Sequence, residues 1–378
     1  MLQNNDNNSD LDRIEIGEGG TPPNSPPPAS DGLPQKKQWL WCILFVAIAA
    51  LSILTVVLQS REFSLSQFVA YIRHASLPWL LISLLSMLGF IMFEGIAILV
   101  LCKAFGYGRR LSRGYIYSAS DIYFSAITPS ASGGQPASAY FMMKDGIPGM
   151  TVAVILVANL VMYTLAIVAI GAICFLLHFD VFLQFDTLSK VLIVLGTLTQ
   201  LLMAFFFIML LKSGRLLRGI CHAVLRFLIR IRIIRKNPQK KIEKLDAAMD
   251  KYRGYAALLS GHKRALLLVF LFNFIQRASQ IAVTMFTYLA TGGSIDKAPS
   301  IWSLQGFVVL GSNSIPIPGA MGVSDYIMLD GFRSIMSEAE AVNLELLSRS
   351  CSFYVCIFLC GISTLVYYRL LKKRRTLS

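Results

Sequence analysis

Charge is what this sequence has least of. Only 15% of its 378 residues are Asp, Glu, Lys or Arg, against about 25% in an ordinary soluble domain. Histidine is equally scarce, with four scattered residues and no spacing that would make a ligand set. The seven cysteines form no CxxC pair. Cys351, Cys356 and Cys360 share one apolar stretch with no histidine nearby, so they read as small apolar helix residues rather than metal ligands. There is no phosphate-binding GxxxxGK[ST] loop, no HExxH and no GxSxG. The longest internal segment outside the apolar runs is about fifty residues, 212–264, and it is mostly basic. These absences argue against nucleotide hydrolysis, zinc-protease chemistry and serine-hydrolase chemistry in this chain. No cofactor and no metal is expected.

What remains is apolar. Hydrophobic residues make up 55% of the chain, and the mean hydropathy is +0.61. Several runs reach the ~20 residues that cross a hydrocarbon core of about 30 Å. The expected fold class is an all-α polytopic membrane protein. Its expected spans are 39–58, 78–101, 150–177, 188–211, 265–290 and 350–369. Residues 1–35 differ: six prolines, six acidic residues and one arginine make a disordered acidic tail, with no signal peptide expected.

Orientation follows from lysine and arginine in the short loops. Lys36 and Lys37 precede the first run, and Lys103, Arg109, Arg110 and Arg113 follow the second. Fifteen basic residues lie in 212–264, and Arg369, Lys372, Lys373, Arg374 and Arg375 close the chain. The 178–187 loop has none, and 291–299 has only Lys297. Rich and poor loops alternate if both termini are cytoplasmic and two further segments fail to cross. Those segments are 114–147 and 300–349. Each has a proline- and glycine-rich break: ITPSASGGQP, Ile127 to Pro136, and NSIPIPGAMG, Asn313 to Gly322. The flanks of each break are too short to span, as expected of a re-entrant hairpin, and such backbone is tolerated only against protein or a water-filled cavity.

The units 78–177 and 265–369 would then be inverted repeats: span, hairpin, span, with opposite orientation. Interrupted helices in matching positions of two halves point to a transporter's binding site. In the first break, Thr128, Ser130, Ser132 and Gln135 offer polar side chains, while Gly133 and Gly134 allow unusual backbone and leave N–H groups free to meet an anion. In the second, Asn313, Ser314 and Gly319 play the same parts, and Asp325 either caps the next half-helix or carries function. Glu94 and Arg277 are intramembrane charges, expected to pair with one another or to present Arg277 to a lipid phosphate. Gln276, Gln280 and Asn273 share a span with Arg277, and Asp121 and Tyr123 precede the first break. Arg349 reads as an interfacial charge at the mouth of the last span. Within 212–264, the stretch Arg215 to Lys236 reads as an amphipathic helix on the inner leaflet. The net charge of +14 suggests anionic phospholipid rather than nucleic acid as the partner.

The run Thr128-Pro-Ser-Ala-Ser-Gly-Gly-Gln-Pro136, with Tyr140 and Lys144, resembles the hallmark of the lysylphosphatidylglycerol synthase transmembrane, or flippase-like, family. Pro316-Ile-Pro-Gly-Ala-Met-Gly-Val-Ser-Asp325 is similar to its second motif, with Ala320 where that family tends to have glycine and Asp325 where it tends to have glutamate. The resemblance spans 39–372, so 36–372 is taken as one transmembrane domain. It implies a bacterial inner-membrane protein that moves a phospholipid or lipid-linked group between leaflets. In two-domain members a cytosolic domain transfers lysine from lysyl-tRNA to phosphatidylglycerol, and the modified lipid blunts cationic antimicrobial peptides. This chain ends seven residues past Leu371, so the synthase domain is expected to be missing. A phosphatidylglycerol lysyltransferase label would be inherited from the family, any lysyl transfer would require a separate soluble synthase, and self-association is left open.

Overall fold

The computed structural model describes residues 65–128, 131–212, 214–230, 238–313, 315 and 322–376, and among them there is helix but no strand. The acidic tail, the expected span 39–58, and Ser130, Ser314 and Gly319 lie outside the described residues. The helices are α1 (Leu65–His74), α2 (Leu77–Ala104), α3 (Leu111–Ile127), α4 (Gly134–Lys144), α5 (Gly149–Leu177), α6 (Phe179–Gln184) and α7 (Thr187–Lys212). They continue with α8 (Gly214–Arg230), α9 (Pro238–Gly261), α10 (Lys263–Ala290), α11 (Ala298–Ser312), α12 (Val323–Arg333), α13 (Glu338–Arg349) and α14 (Val355–Thr376).

Five stretches among the described residues are long and apolar enough to cross a membrane: Leu77–Ala104, Gly149–Leu177, Thr187–Leu211, Lys263–Ala290 and Glu338–Lys372. Four match the expected spans. The fifth begins twelve residues before the expected 350, because the Ser337 hydroxyl and Glu340 cap each other's backbone and start α13 there. Helix α13 then runs through a π-helical turn, Ser350–Tyr354, into α14. Glu338, Glu340, Glu345 and Arg349 hide this helix from a hydropathy reading. The second hairpin accordingly ends at Arg333 rather than at 349.

The lead helices of the two units, α2 and α10, pack side by side and antiparallel. Trp79 stacks with Phe286 and Phe93 with Phe272. Ser83 Oγ donates to Val283 O at 3.1 Å, and Gln276 Nε2 donates to Glu94 Oε2 at 3.2 Å.

After each lead helix comes a helix–break–helix hairpin. In the first, α3 and α4 run antiparallel, because Asp145 at the end of α4 returns to the start of α3. Its carboxylate accepts from Arg113 at 3.0 Å and Tyr117 at 2.6 Å, and its backbone carbonyl accepts from Arg109 at 2.8 Å. In the second, Gly331 lies against Leu304 and Gly311 against Ile327, so α11 and α12 are antiparallel too. Each hairpin starts beside the C-terminal end of its lead helix. Since α2 and α10 are antiparallel, the two hairpin bases lie at opposite ends of that pair.

The first hairpin reaches α2 through bare backbone. A Cβ at Gly95 would stand 2.6 Å from the Gly114 carbonyl carbon, and one at Gly114 would stand 2.7 Å from the Gly95 oxygen. Small residues at crossings let helices approach where no hydrophobic effect drives them together. Gly114→Val is expected to cost about 1–3 kcal/mol by overpacking, read as a lower melting temperature of the purified protein. An unchanged melting temperature would show that the crossing can loosen freely.

The basic segment forms a helical pair. On α8, Arg218 and His222 both reach Asp246 of α9, at 2.7 and 2.8 Å. The opposite side of α8 exposes Ile220, Val224 and Phe227. The hydrogen bond with His222, and then Arg218 against slight desolvation, hold the Asp246 carboxyl below its ordinary range. A depressed acid stabilises the fold above its unfolded pKa and loses that contribution as pH falls through the folded value. Amide protection of α8, taken relative to the intrinsic exchange rate at each pH, is therefore expected to hold from neutral pH downward and to fall below about pH 4. In Asp246→Asn it should be low at neutral pH already.

Candidate functional site

The first break is built as a polar knot. Thr128 ends α3, donating its hydroxyl to Phe124 O at 2.6 Å and accepting from the Gly133 N–H at 2.8 Å. Ala131 between them takes a φ of 52°, a left-handed conformation that costs a non-glycine residue roughly 1 kcal/mol. Below the turn lies Asp121, buried on α3. Its carboxylate accepts from Ser125 Oγ at 3.0 Å and from Gln135 Nε2 at 2.8 Å. Gly134 rests directly on Asp121 and Ser125, where any Cβ would overlap both. Ser132 is exposed at the tip.

One turn back along α3, Ser118 Oγ donates to Glu94 Oε2 at 3.0 Å, the same oxygen that Gln276 reaches from α10. Glu94 and Arg277 do not form the direct ion pair expected from the sequence. Arg277 instead donates to Gln280 and lies over the Tyr163 ring, 4.8 Å from its centroid, and over Phe90. The reason is register: Gln276 and Arg277 are neighbours about 100° apart around α10, so the amide takes the carboxylate while the guanidinium points toward α5. Both charges are buried, and Arg277 Nε has no partner among the described residues. Asn273 adds a buried bond to Asn159 at 3.0 Å.

The second break has its own charge centre. Asp325, fully buried, accepts from the Gly322 N–H at 2.8 Å and thereby caps α12. Its other oxygen accepts from Arg349, which also donates to Ser324. Arg349 is therefore not the interfacial charge that its sequence position suggested. It is 8% exposed and lies over Phe353 in the π turn. Glu345, one turn earlier on α13, is completely buried with neither carboxylate oxygen bonded among the described residues. Asn313 is exposed at the end of α11.

Of the residues picked from sequence, Thr128, Gly133, Gly134 and Gln135 gather around Asp121. Glu94 and Arg277 share the neighbouring α2–α10 seam, and Asp325 belongs to the second centre. Sequence reading passed over Ser118 and Glu345 and misjudged Arg349. The available signal was the four-residue spacing of Glu345 and Arg349, which puts both on one face of a helix leading into the apolar run from 350.

These features define a class: an all-α polytopic membrane protein whose two hairpins of broken helix each close on buried charge. Residues 42–360 match the family model described as "Lysylphosphatidylglycerol synthase TM region". The chain belongs to that family, which makes it an integral membrane protein related to lysylphosphatidylglycerol synthesis. A search of curated proteins returns no match.

Proposed function

We propose that this chain is a phospholipid translocase. It moves an anionic, zwitterionic or aminoacylated phospholipid, or a lipid-linked group, between the leaflets of a bacterial cytoplasmic membrane. One observation carries the reading: the bases of the two hairpins lie at opposite ends of the α2–α10 pair, and each tip closes on buried charge, Asp121 beside Glu94 in one and Asp325 with Arg349 in the other. In a bilayer with both termini cytoplasmic, the hairpins would be re-entrant from opposite faces and the two units an inverted repeat. Arg277, with an N–H to spare, would hold the head-group phosphate while the acyl chains stay in lipid. Head-group contacts would fall to Thr128, Ser130, Ser132, Gly133, Gly134, Gln135, Asn313, Ser314, Gly319 and Asp325. The apolar stripe of α8 would lie on the inner leaflet.

Reconstitution in liposomes with fluorescent phospholipids tests this directly. Wild-type protein is expected to exchange labelled lipid between leaflets, and Arg277→Gln to slow exchange about tenfold through loss of a charged hydrogen bond. Exchange no faster than in empty liposomes, for anionic, zwitterionic and aminoacylated lipids alike, would sink the proposal. The family description supports a second reading, a membrane component of a phosphatidylglycerol lysyltransferase. Lysyl-lipid formed from lysyl-tRNA and phosphatidylglycerol only when the purified chain joins a soluble synthase would establish it, and product formed by the chain alone would make the chain the lysyltransferase itself.

A further inference from the structure

At the base of the first hairpin, about 25 Å along α3 from its tip, α3 and α14 border an open cavity of about 680 Å³. Three arginines line it: Arg109, Arg110 and Arg113. The carboxylate of Asp145 pairs with Arg113 and is otherwise filled by the hydroxyls of Tyr117 and Tyr367, at 2.6 and 2.9 Å. Among the described residues Arg109 donates only to carbonyl oxygens, those of Gly108 and Asp145, and pairs with no carboxylate. Arg110 is exposed and makes no ion pair among the described residues. It sits at the N-cap of α3 without a side-chain cap bond, so the helix dipole adds positive potential at the same mouth. The opposite wall, on α14, is mixed: Ser363 and Tyr367 are polar, while Val366 and Leu370 form its apolar part. Val366 and Leu370 on α14 are 51% and 53% exposed, facing outward on a helix that is itself a candidate span.

We infer that this cavity is a binding site for an anionic phospholipid, separate from the hairpin tips. Arg109 and Arg110 hold the phosphodiester, and one acyl chain runs along Val366 and Leu370. Guanidinium suits this role through its planar donors and weak hydration. Soluble phosphate compounds share the charge but not the chain, and the apolar part of the wall decides for lipid. The inference does not depend on transport, since binding here needs no movement between leaflets.

Native mass spectrometry of the full chain, released from micelles holding equal phosphatidylglycerol and phosphatidylcholine, reads it out. Wild type is expected to retain phosphatidylglycerol preferentially. Each arginine removed should lower that retention about fivefold, so Arg109→Gln with Arg110→Gln together should lower it more than tenfold. Leu370→Trp, which puts a bulky ring across the acyl path and leaves every charge in place, should lower it comparably. This second variant keeps the test decisive if loss of the arginines disturbs insertion. Unchanged retention in both variants overturns the inference. Displacement by soluble glycerol phosphate as effective as by a single-chain lysophosphatidylglycerol overturns the assignment to lipid. Leaflet exchange measured on the same preparations separates the two proposals, because exchange can fail while selective retention persists, and the reverse.

Discussion

Arg349→Ala is expected to destabilise this protein by about 3–5 kcal/mol, the largest effect of any single truncation proposed. The substitution removes a partner from a fully buried carboxylate, Asp325, and takes away the guanidinium that also donates to Ser324. The size of the effect comes less from the strength of the pair than from the charge left behind without water. That origin can be tested. Replacing both partners, Arg349→Leu with Asp325→Leu, removes the stranded charge and should recover much of the loss. Recovery would be incomplete, because Asp325 also caps α12 through the Gly322 N–H. Arg349→Lys should fall between, since an ammonium cannot present the planar fork that reaches Ser324 and Asp325 together. Thermal denaturation in detergent provides the comparison. A single-variant cost below about 1 kcal/mol, the range of an exposed pair, would mean that water reaches the centre and that Arg349 does not lock the second hairpin to the last span.

Gly134→Leu is expected to abolish leaflet exchange while the protein still accumulates in the membrane. Gly134 lies on Asp121 and Ser125 with no room for a side chain, and the Asp121 carbonyl oxygen would stand 2.7 Å from an added Cβ. A bulky residue must push α4 away from α3 at the tip. That would break the Gln135–Asp121 bond and the turn from Thr128 to Gly133. The base should survive, because Asp145 holds it through Arg113 and Tyr117 far from the change. Gly134→Ala is the graded version, with an overpacking cost of about 1–3 kcal/mol. Combining it with Asp121→Ala should restore part of the packing, since the carboxylate is one of the two side chains in the way, but should not restore exchange if Asp121 belongs to the working site. Full exchange by Gly134→Leu would remove the first break from the transport proposal.

The two experiments probe different links of one chain of cause. Arg349 tests whether buried charge organises the second hairpin. Gly134 tests whether close packing at the first tip is needed for activity. Stability loss without loss of exchange in the surviving fraction, or the opposite, would separate structural from functional roles in each case.

The residues themselves explain which features were legible in advance. Four spans could be read at once, because a run such as Leu77–Ala104 contains only Glu94 and Lys103 as charges and has no other way to satisfy its backbone in lipid than as helix. Both breaks were legible for a related reason. Pro129 forces Thr128 out of the helix, and Pro136 is tolerated only because it falls in the first turn of a new one, α4. The first twelve residues of the last span were not legible, since Glu338, Glu340, Glu345 and Arg349 lower their hydropathy below that of a crossing helix. Only the partners of those residues explain why the charges are admitted.

The sequence by itself determined an all-helical membrane protein, its family and the places where its helices must break, because these depend on apolar length and local backbone chemistry. Tertiary structure alone decided which charge meets which: Glu94 with Ser118 and Gln276, Arg277 with Gln280 and Tyr163, Arg349 with Asp325 and Ser324. Pairing of that kind depends on helix register and crossing, and on the low dielectric that makes each buried charge take the nearest good partner. Neither is encoded in any one segment.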